Sequence, residues 1–355
     1  MKKKSICISV AMATYNGGEF LQQQLNSIAD QTRLPDELIV SDDSSSDETL
    51  EILKKYSEHV SFKVIILTLN ERAGLIKNFE NAILHCSGQV VVLSDQDDIW
   101  EKYKIEHIIR KFNENEGVNY VFSNADLINQ TGEKMGRNLW EQRFYTEKML
   151  NKYCYENQLE AMLRDGHVLY GMTMAFKSTY NHYIFPIESN SKEFTHDVWI
   201  GFMMAALGAQ GMPISESLVS YRQHESQVVG ATKLSIYKRI ITRIFENKNV
   251  LNLGYADVLE VIANRLPETN NVNCDLSSAK ILLREKAFHL RARAKISSLR
   301  GFKRLAFIFL EVKSGRYSRY SKSLVSAFND FVFPSGIRRI VTFRIFNIPK
   351  QPPFF

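Results

Sequence analysis

Residues 90–100 read VVVLSDQDDIW, so a short apolar run is followed at once by three acids within four positions. A continuous run of aliphatic, mostly β-branched residues is typical of a strand that is buried on both faces of a parallel sheet. In open α/β sheets, ligands bind beyond the carboxyl ends of such strands. This segment therefore predicts a central strand that delivers negative charge to the ligand-binding edge of a sheet.

The same strand-then-helix unit recurs on the amino-terminal side of this segment. Further apolar strands are predicted at Ile6–Val10, Leu38–Val40 and Val64–Leu67. Helices are predicted after the turn Asn16-Gly17-Gly18, after the capping-box pair Ser45 and Glu48, at Asn78–His85 and at Trp100–Phe112. Strands that alternate with amphipathic helices indicate an α/β fold whose parallel sheet is covered on both faces.

Polar side chains collect where each predicted strand ends. They are Thr14, Tyr15 and Asn16, then Asp42 and Asp43, then Asn70 and Arg72, and finally Asp95–Asp98. Clustered carboxylates repel one another unless a cation compensates, and D-x-D oxygen ligands suit Mg²⁺ or Mn²⁺ with positions left open for phosphates. The sequence therefore predicts a divalent metal and a diphosphate substrate. The alternative is that these acids only cap the following helix.

Several common phosphate-binding and hydrolytic motifs do not occur in the sequence. It has no G-x-x-x-x-G-K-[ST] and no G-x-G-x-x-G, which disfavours P-loop nucleotide hydrolases and dinucleotide-binding proteins. It also has no G-x-S-x-G nucleophile elbow. A metal-bound diphosphate without a Lys-bearing phosphate loop fits departure of a nucleoside diphosphate better than transfer of a terminal phosphoryl group.

The composition is that of a folded globular protein. Of the 355 residues, 45% are hydrophobic and 11% aromatic, which is enough for one large core and a smaller appendage. The four cysteines lie far apart without C-x-x-C spacing, so neither a disulfide framework nor a zinc site is predicted. All apolar stretches are shorter than the roughly 18 to 20 residues that cross a bilayer. We also expect no signal peptide.

Basic charge is concentrated towards the carboxyl end. Residues 280–350 contain 17 Lys and Arg but only three acids, so this stretch is +14 and the rest of the chain −8. One apolar helical face is predicted there, comprising Phe288, Ala292, Ile296 and Leu299. Basic charge beside apolar stripes suits an anionic membrane surface. A helical bundle with a solvated basic face is the alternative, and nucleic acid is not expected because no nucleic-acid motif is present.

Five motifs in order give the sequence a family resemblance: ISVAMATYNGGEFLQQQLNSIADQT, ELIVSDDSSSDET, LSDQDDIW, HDVW and YRQH. With these, residues 5–230 resemble glycosyltransferase family 2, in the style of bacterial rhamnosyltransferase-like enzymes of surface-polysaccharide synthesis. The resemblance implies inversion at the sugar carbon and a GT-A fold, in which a nucleotide-binding half around a mixed sheet precedes an acceptor half. We expect residues 1–232 to form this GT-A domain and residues 233–355 a helical, basic region.

The resemblance also assigns donor-binding residues. Asp43 would bind the edge of a pyrimidine base and Asp95 the ribose, while Ala13 occupies a position where some relatives carry a hydroxyl. Gly171, in GMTMAF, would let the backbone approach the donor sugar, although this segment also fits an ordinary core strand. The remaining residues expected at the donor are Tyr15, Arg72, Gln96 and Arg222, the last as a diphosphate partner.

The metal ligands and the general base are implied in the same way. Asp97 or Asp98 would bind the cation, since relatives differ in which acid reaches it, and His224 would complete the metal shell or contact the diphosphate. Asp197 falls where the family keeps its general base, in the first turn of a predicted helix. The alternatives are that Asp197 only stabilises the helix N-terminus and that His224 is structural. His196 is expected to be a neighbour rather than a participant.

These observations predict a metal-dependent inverting glycosyltransferase. It would move a sugar, with L-rhamnose as one candidate, from a dTDP or UDP carrier onto a glycan or lipid-linked glycan, with acceptor loops such as Leu139–Tyr155. We expect a cytoplasmic protein, peripheral on the inner face of the cell membrane. Two alternatives stay open: a sugar nucleotidyltransferase, for which Asn16-Gly17-Gly18 lacks a basic Gly-rich loop, and a non-catalytic assembly adaptor that keeps the fold.

Overall fold

The chain divides into two compact units, Met1–Thr232 with Val261–Ile281 and Lys233–Glu260 with Leu282–Phe355. The computed structural model describes residues 6–143, 145–146, 149–150, 157–189, 194–224, 248–268, 275–321 and 323–332. The predicted acceptor segment Leu139–Tyr155 therefore lies only partly within the described residues.

One mixed sheet organises the described part of the first unit. Its strands are β1 Ile8–Thr14, β2 Glu37–Asp42, β3 Lys63–Thr68, β4 Val90–Ser94, β5 Ile99–Trp100, β6 Val118–Ile128, β7 Lys134–Asn138, β8 Met174–Lys177 and β9 Gln210–Arg222. They lie in the order β3-β2-β1-β4-β8-β6-β9-β5, with β7 paired to β6. The pairs among β1 to β4 are parallel, whereas β8 is antiparallel to β4 and β6. The mixed sheet that the resemblance implied is confirmed.

Helices flank this sheet. They are α1 Gly18–Ala29, α2 Thr49–Ser57, α3 Leu75–Leu84, α4 Lys104–Glu114, α5 Leu139–Arg143, α6 Gln158–Asp165, α7 Asn181–Ile184 and α8 His196–Ala206, with 3₁₀ turns at Gly171–Thr173 and Ser178–Tyr180. The apolar face of α1 is fully buried, because Leu21, Leu25 and Ile28 have no exposed surface. Burial of this 3.6-residue stripe on the sheet accounts for the helix.

Three local predictions were wrong. β1 is Ile8–Thr14, so the predicted strand Ile6–Val10 ends too early, and Thr14, predicted to follow the strand, is its last residue. Trp100 belongs to β5, where it pairs with Val219 of β9, and α4 begins only at Lys104. Ser45 does not cap α2, because its hydroxyl donates instead to Asp42, 2.6 Å away. In the first two cases pairing with a strand distant in sequence overrides the local pattern, and in the third an acceptor three residues away takes the hydroxyl.

The second unit is helical where it is described. Its residues lie in α9 Lys248–Arg265 and α10 Leu276–Ser298, which both units share, and in α11 Gly301–Lys313, α12 Arg316–Tyr320 and α13 Ser323–Val332. The predicted apolar face of α10 is wrong, because Phe288 is exposed and Ile296 is buried. Eight residues turn an α-helix about 80° past two full turns, so these side chains diverge. Within the described residues, no helix is long and apolar enough to span a membrane.

Candidate active site

A cavity of about 540 Å³ lies at the carboxyl ends of β1, β2 and β4. Ten of the residues predicted to bind donor, metal or proton line it: Ala13, Tyr15, Asp43, Arg72, Asp95, Gln96, Asp97, Gly171, Asp197 and His224. The other two, Asp98 and Arg222, are not among its lining residues. The parallel strand ends thus bring together groups that are up to about two hundred residues apart in sequence.

Tyr15 and Arg72 form one wall of the cavity. The guanidinium carbon of Arg72 lies 4.1 Å from the centre of the Tyr15 ring, which is a cation–π contact. Asp43 anchors the loop that carries Arg72, because it accepts hydrogen bonds from the amides of Ala73 (2.6 Å) and Gly74 (2.9 Å). Each carboxylate oxygen of Asp43 retains a lone pair for a ligand.

Gln96 braces the loop that follows β1. Its Nε2 donates to the Tyr15 carbonyl at 3.1 Å, and its Oε1 accepts from the Tyr15 amide at 2.9 Å. A Cβ atom on Gly17 would lie 2.3 Å from Gln96 Oε1, so a larger residue there would displace the Gln96 amide. The side chain predicted to contact the donor therefore holds Tyr15, which lines the cavity, in place.

Three acids follow β4 in different environments. Asp95 lines the cavity, and burial, followed by the Asp97 and Asp197 carboxylates, raises its pKa to about 8. Asp98 is 0% exposed, and burial together with its acidic neighbours raises its pKa well above the ordinary value. Its Oδ1 accepts from the Arg222 amide at 3.0 Å, while its Oδ2 has no hydrogen-bond partner within the described part of the chain. Asp97, unlike Asp98, faces the cavity together with Asp95.

Asp97 and His224 meet at the cavity wall. His224 Nε2 lies 2.8 Å from Asp97 Oδ2, and the His224 ring packs 4.9 Å from the Phe20 ring. The carboxylate and the imidazole reach this point from the β4–β5 loop and from the residues after β9. The structure thus places the predicted ligand His224 beside Asp97 rather than beside Asp98.

Arg222 is placed differently from the prediction of a diphosphate partner. It is 0% exposed, and its guanidinium donates to the Asp97 carbonyl (2.8 Å), the Gln130 carbonyl (2.8 Å) and Gln23 Oε1 (2.7 Å). Three acceptors from the surrounding elements hold this buried cation inside the protein. Arg222 therefore fixes the loop that carries Asp97.

The donor set of this wall fits a divalent cation that takes most of its ligands from a substrate. Asp97 has a carboxylate oxygen and His224 a ring nitrogen that can bind a cation. Asp95 lies close enough to add its negative charge to the same place. Among the described residues, no cluster of three or more His, Cys, Asp or Glu forms a complete protein cage. Mg²⁺ and Mn²⁺ bound with phosphates need few protein ligands, so two or three suffice.

Asp197 lies in the first turn of α8, as predicted, and is 8% exposed. Its Oδ2 accepts from the Gly171 amide at 2.8 Å, and its Oδ1 accepts from the Val198 amide at 2.9 Å and from the Thr195 hydroxyl. Burial opposes ionisation, but the nearby imidazoles and these hydrogen bonds outweigh it and hold the pKa of Asp197 below its usual value. Since burial also lowers the pKa of His196 and keeps it neutral, we attribute the effect mainly to the hydrogen bonds.

Gly171 allows a close approach, but to a protein side chain. A Cβ atom there would lie 2.7 Å from His196 Nε2. The His196 ring stacks on Phe79, with 3.8 Å between the ring centroids, and neither ring nitrogen has a hydrogen-bond partner among the described residues. His196 also lines the cavity, so it is a neighbour of Asp197 with nitrogens still open to a ligand.

Four further residues of the site were not predicted. Arg143, His167 and Tyr170 line the cavity, and no motif singles them out in the sequence. Lys104 is fully buried beneath it, and its Nζ donates to the Met172 carbonyl at 2.6 Å. The spacing of Lys104 after the acids resembles an ordinary helix start, which is why sequence reasoning missed it.

Residues 9–183 match the family described as Glycosyl transferase family 2. The chain carries a glycosyltransferase family 2 domain. Asp197 and His224 lie beyond the matched residues of this domain. The chain is also 27% identical over 281 residues to the dTDP-rhamnosyl transferase RfbG of Shigella flexneri, covering 76% of this chain and 89% of that protein. It is 28% identical over 130 residues to a putative teichuronic acid biosynthesis glycosyltransferase, TuaG, of Bacillus subtilis, covering 37% of this chain and 51% of that protein.

Solved structures share the fold of this chain. The S. aureus TarS 1-349 complex with UDP-GlcNAc aligns with a TM-score of 0.55 and 17% identity, covering 88% of this chain and 82% of that chain. The mannosyltransferase PcManGT from Pyrobaculum calidifontis, solved with GDP-Man and Mn²⁺, aligns with a TM-score of 0.50 and 15% identity, covering 97% and 89%. At such identities the likeness concerns the fold alone, and it confirms the GT-A-like architecture.

Proposed function

We propose that this chain transfers a sugar, with inversion, from a nucleoside diphosphate to a hydroxyl acceptor during cell-surface polysaccharide biosynthesis. The observation that carries the proposal is the convergence of Asp97, His224 and Asp197 on one cavity at the carboxyl edge of the sheet. The relatives support it, because RfbG is named a dTDP-rhamnosyl transferase and TuaG a putative glycosyltransferase of teichuronic acid biosynthesis. In this proposal, residues 1–232 form the catalytic domain.

The proposed reaction is a single displacement. The acceptor oxygen attacks the anomeric carbon, the bond from that carbon to the diphosphate oxygen breaks, and the diphosphate leaves with the electron pair. Asp197 takes the proton of the acceptor hydroxyl, and its lowered pKa keeps it ionised at neutral pH. The amides of Gly171 and Val198 hold the carboxylate in place, so it is oriented before the substrate arrives.

Asp97 and His224 would hold a Mg²⁺ or Mn²⁺ ion, which would neutralise the charge that develops on the departing diphosphate. Of the two acids that the sequence left open, Asp97 is favoured because it faces the cavity and Asp98 does not. Asp98 instead accepts a hydrogen bond from the Arg222 amide and so supports the loop after β4. The solved mannosyltransferase with bound Mn²⁺ shares only the fold with this chain, so it supports the metal by analogy alone.

For the donor, we propose a dTDP or UDP sugar bound along the Tyr15 wall. Asp43, Arg72 and Asp95 line the cavity, where Asp43 would bind the base and Asp95 the ribose. The relative RfbG makes L-rhamnose a candidate for the sugar. A lipid-linked glycan is the proposed acceptor. A glucosyltransferase of Escherichia coli that is 28% identical over 41% of this chain is named for a diphosphoundecaprenol acceptor.

A membrane-facing role of residues 233–355 is supported by two exposed apolar stripes. On α11, Phe302 is 84% and Phe309 is 66% exposed, and on α13, Phe328 is 63% exposed. Exposed basic residues accompany them, namely Arg300, Lys303, Lys313 and Arg319. Apolar side chains flanked by cations fit an anionic lipid surface. We therefore propose that the protein is peripheral on the inner face of the cell membrane.

The membrane proposal is tested by sedimentation with vesicles. The full chain should bind vesicles that contain phosphatidylglycerol and bind neutral phosphatidylcholine vesicles less, with the difference lost in high salt. Phe302→Ser with Phe309→Ser should weaken binding, while the surface control Leu84→Ser should not. Equal vesicle binding by the double variant and the wild type would remove the α11 stripe from the membrane contact.

Turnover of nucleotide sugars tests the proposed activity. We expect the full chain with Mn²⁺ or Mg²⁺ to release a nucleoside diphosphate from one donor of a dTDP, UDP and GDP panel. Asp197→Asn should lower turnover by about 10²- to 10⁴-fold because the proton acceptor is lost, while donor binding persists. The matched control is Asp126→Asn, because Asp126 pairs with Lys134 at 3.0 Å and does not line the cavity.

Each rival gives a different result in the same assay. Donor binding without turnover by the wild type would favour a non-catalytic adaptor. Consumption of a nucleoside triphosphate and a sugar phosphate, with pyrophosphate release, would favour a nucleotidyltransferase. Full transfer by Asp197→Asn would remove Asp197 as the base.

A further inference from the structure

The cavity carries a second arginine that the proposed donor and metal chemistry does not use. Arg143, the last residue of α5, lines the cavity. Its guanidinium carbon lies 5.3 Å from the centre of the Tyr170 ring. Its Nε is buried and has no hydrogen-bond partner in the part of the chain that the structure describes. A buried donor without an acceptor is costly, so a ligand that supplies one would be stabilised there.

Arg143 lies at the end of the cavity that holds the proposed base. Tyr170 precedes Gly171, whose amide donates to Asp197 at 2.8 Å. His167, another lining residue, experiences the charges of both Asp197 and Arg143. The other lining arginine, Arg72, is instead stacked on Tyr15 at the donor wall. The two arginines therefore serve different parts of the cavity.

We propose that Arg143 binds an anionic oxygen group of the acceptor, beside the hydroxyl that Asp197 deprotonates. A guanidinium pairs with phosphate or carboxylate oxygens through two parallel hydrogen bonds, and the Nε of Arg143, which has no acceptor among the described residues, would donate one of them. The proposal rests on the proposed function, because it takes the Asp197 end as the acceptor end. It makes the acceptor a charged glycan, either linked through a phosphodiester or containing an acidic sugar.

Kinetics with matched acceptors test this proposal. The full chain is assayed with three short-chain acceptors of one sugar: a neutral alkyl glycoside, its alkyl phosphodiester and the corresponding uronic acid glycoside. Arg143→Gln removes the charge and keeps much of the volume, and Arg143→Lys keeps the charge without the planar fork. The control is Arg137→Gln, from the same segment, whose guanidinium donates to Gln142 at 3.1 Å and does not line the cavity.

We expect the wild type to prefer one anionic acceptor over the neutral one by about tenfold to a hundredfold in kcat/KM. Arg143→Gln should lose that preference through a higher KM for the anionic acceptor, with a smaller effect on the neutral acceptor and no rise in the donor KM, and Arg143→Lys should keep part of it. Preference for the phosphodiester or for the uronic acid identifies the source of the charge. The proposal is overturned if Arg143→Gln keeps the preference, if the wild type has none, or if the donor KM rises instead.

A binding measurement separates this proposal from the proposed function. With a nucleoside diphosphate and Mn²⁺ present, the alkyl phosphodiester should raise the melting temperature of the wild type and not that of Arg143→Gln. Equal shifts in the melting temperatures of the two proteins would overturn the anion site at Arg143, whatever their turnover rates are. Failure of the proposed function would appear differently, as a wild type that neither binds nor turns over any nucleotide sugar.

Discussion

At the scale of single residues, the tightest point of the site is Gly171. Its amide orients the Asp197 carboxylate, and its missing side chain makes room for the His196 ring, which Phe79 holds from the other side. The sequence resemblance predicted a close approach of the Gly171 backbone to the donor sugar. The structure shows a close approach to His196, which no spacing in the sequence could reveal because the two residues meet only through tertiary packing.

Substitution of Gly171 by alanine should therefore destabilise the protein. The added Cβ would lie 2.7 Å from His196 Nε2, so the stacked ring must shift, at a cost of about 1 to 3 kcal/mol in the free energy of unfolding. Chemical denaturation measures this change. His196→Ala combined with Gly171→Ala should cost less than the sum of the two single changes, because it removes the clash. Simple additivity would show that the two residues do not interact.

At the scale of elements, the sequence predicts strands better than loops. The core of each of the first four strands follows from its apolar run, and the acids at their ends follow from chain order. The loops require knowledge of distant partners. Arg222 was read as a diphosphate ligand from its charge, but three acceptors from other elements bury it. Asp97 and Asp98 look equivalent in sequence. Only the fold shows that Asp98 is buried in the protein and that Asp97 faces the cavity.

Loss of the Arg222 guanidinium should loosen the connection between β9 and the loop after β4. Arg222→Met removes the three hydrogen bonds that the buried guanidinium donates to the Asp97 and Gln130 carbonyls and to Gln23, and we expect a loss of about 2 to 4 kcal/mol in the free energy of unfolding. Arg110→Met is the control, since its ion pairs, both at 3.7 Å, are half-exposed and should be worth little. Similar losses in the two variants would count against the bracing role.

At the scale of the whole molecule, the second unit contains a buried polar network that its basic sequence did not predict. Lys286 Nζ donates to the Tyr320 carbonyl at 2.5 Å, and His289 lies between Glu311 (2.7 Å) and Ser321 (2.9 Å). Arg293 pairs nearby with Asp330 at 2.6 Å. The excess of basic residues was read as a surface property, yet part of it lies inside the helical unit. Only the exposed part is available to a membrane.

The stability of the protein should depend on pH through Lys286. Burial, with a contribution from Arg293, lowers the pKa of Lys286 from 10.5 to about 7. Between these values the unfolded chain binds more protons than the folded one, so stability should rise with pH by up to about 1.4 kcal/mol per pH unit. Lys286→Met should remove this rise, giving its largest gain over the wild type near pH 7 and below.

Guanidinium denaturation of the full chain at several pH values between 6.5 and 9.5 measures this effect. Lys313→Met, which changes an exposed lysine of the same unit, is the control and should keep the pH dependence of the wild type. An unchanged pH dependence in Lys286→Met would mean that Lys286 does not titrate in this range.

The proposed reaction depends on Asp97 and His224, which we propose to bind a divalent cation together with the diphosphate of the donor. Electron paramagnetic resonance of Mn²⁺ titrated into the full chain, with dTDP or UDP present, tests it most directly. We expect bound Mn²⁺ in the wild type and affinity weaker by about tenfold to a hundredfold in Asp97→Asn and in His224→Gln. Asp98→Asn should have the smaller effect on Mn²⁺ affinity. Absence of bound Mn²⁺ with both nucleotides, or equal Mn²⁺ affinity in the wild type and Asp97→Asn, would contradict metal binding by Asp97 and His224.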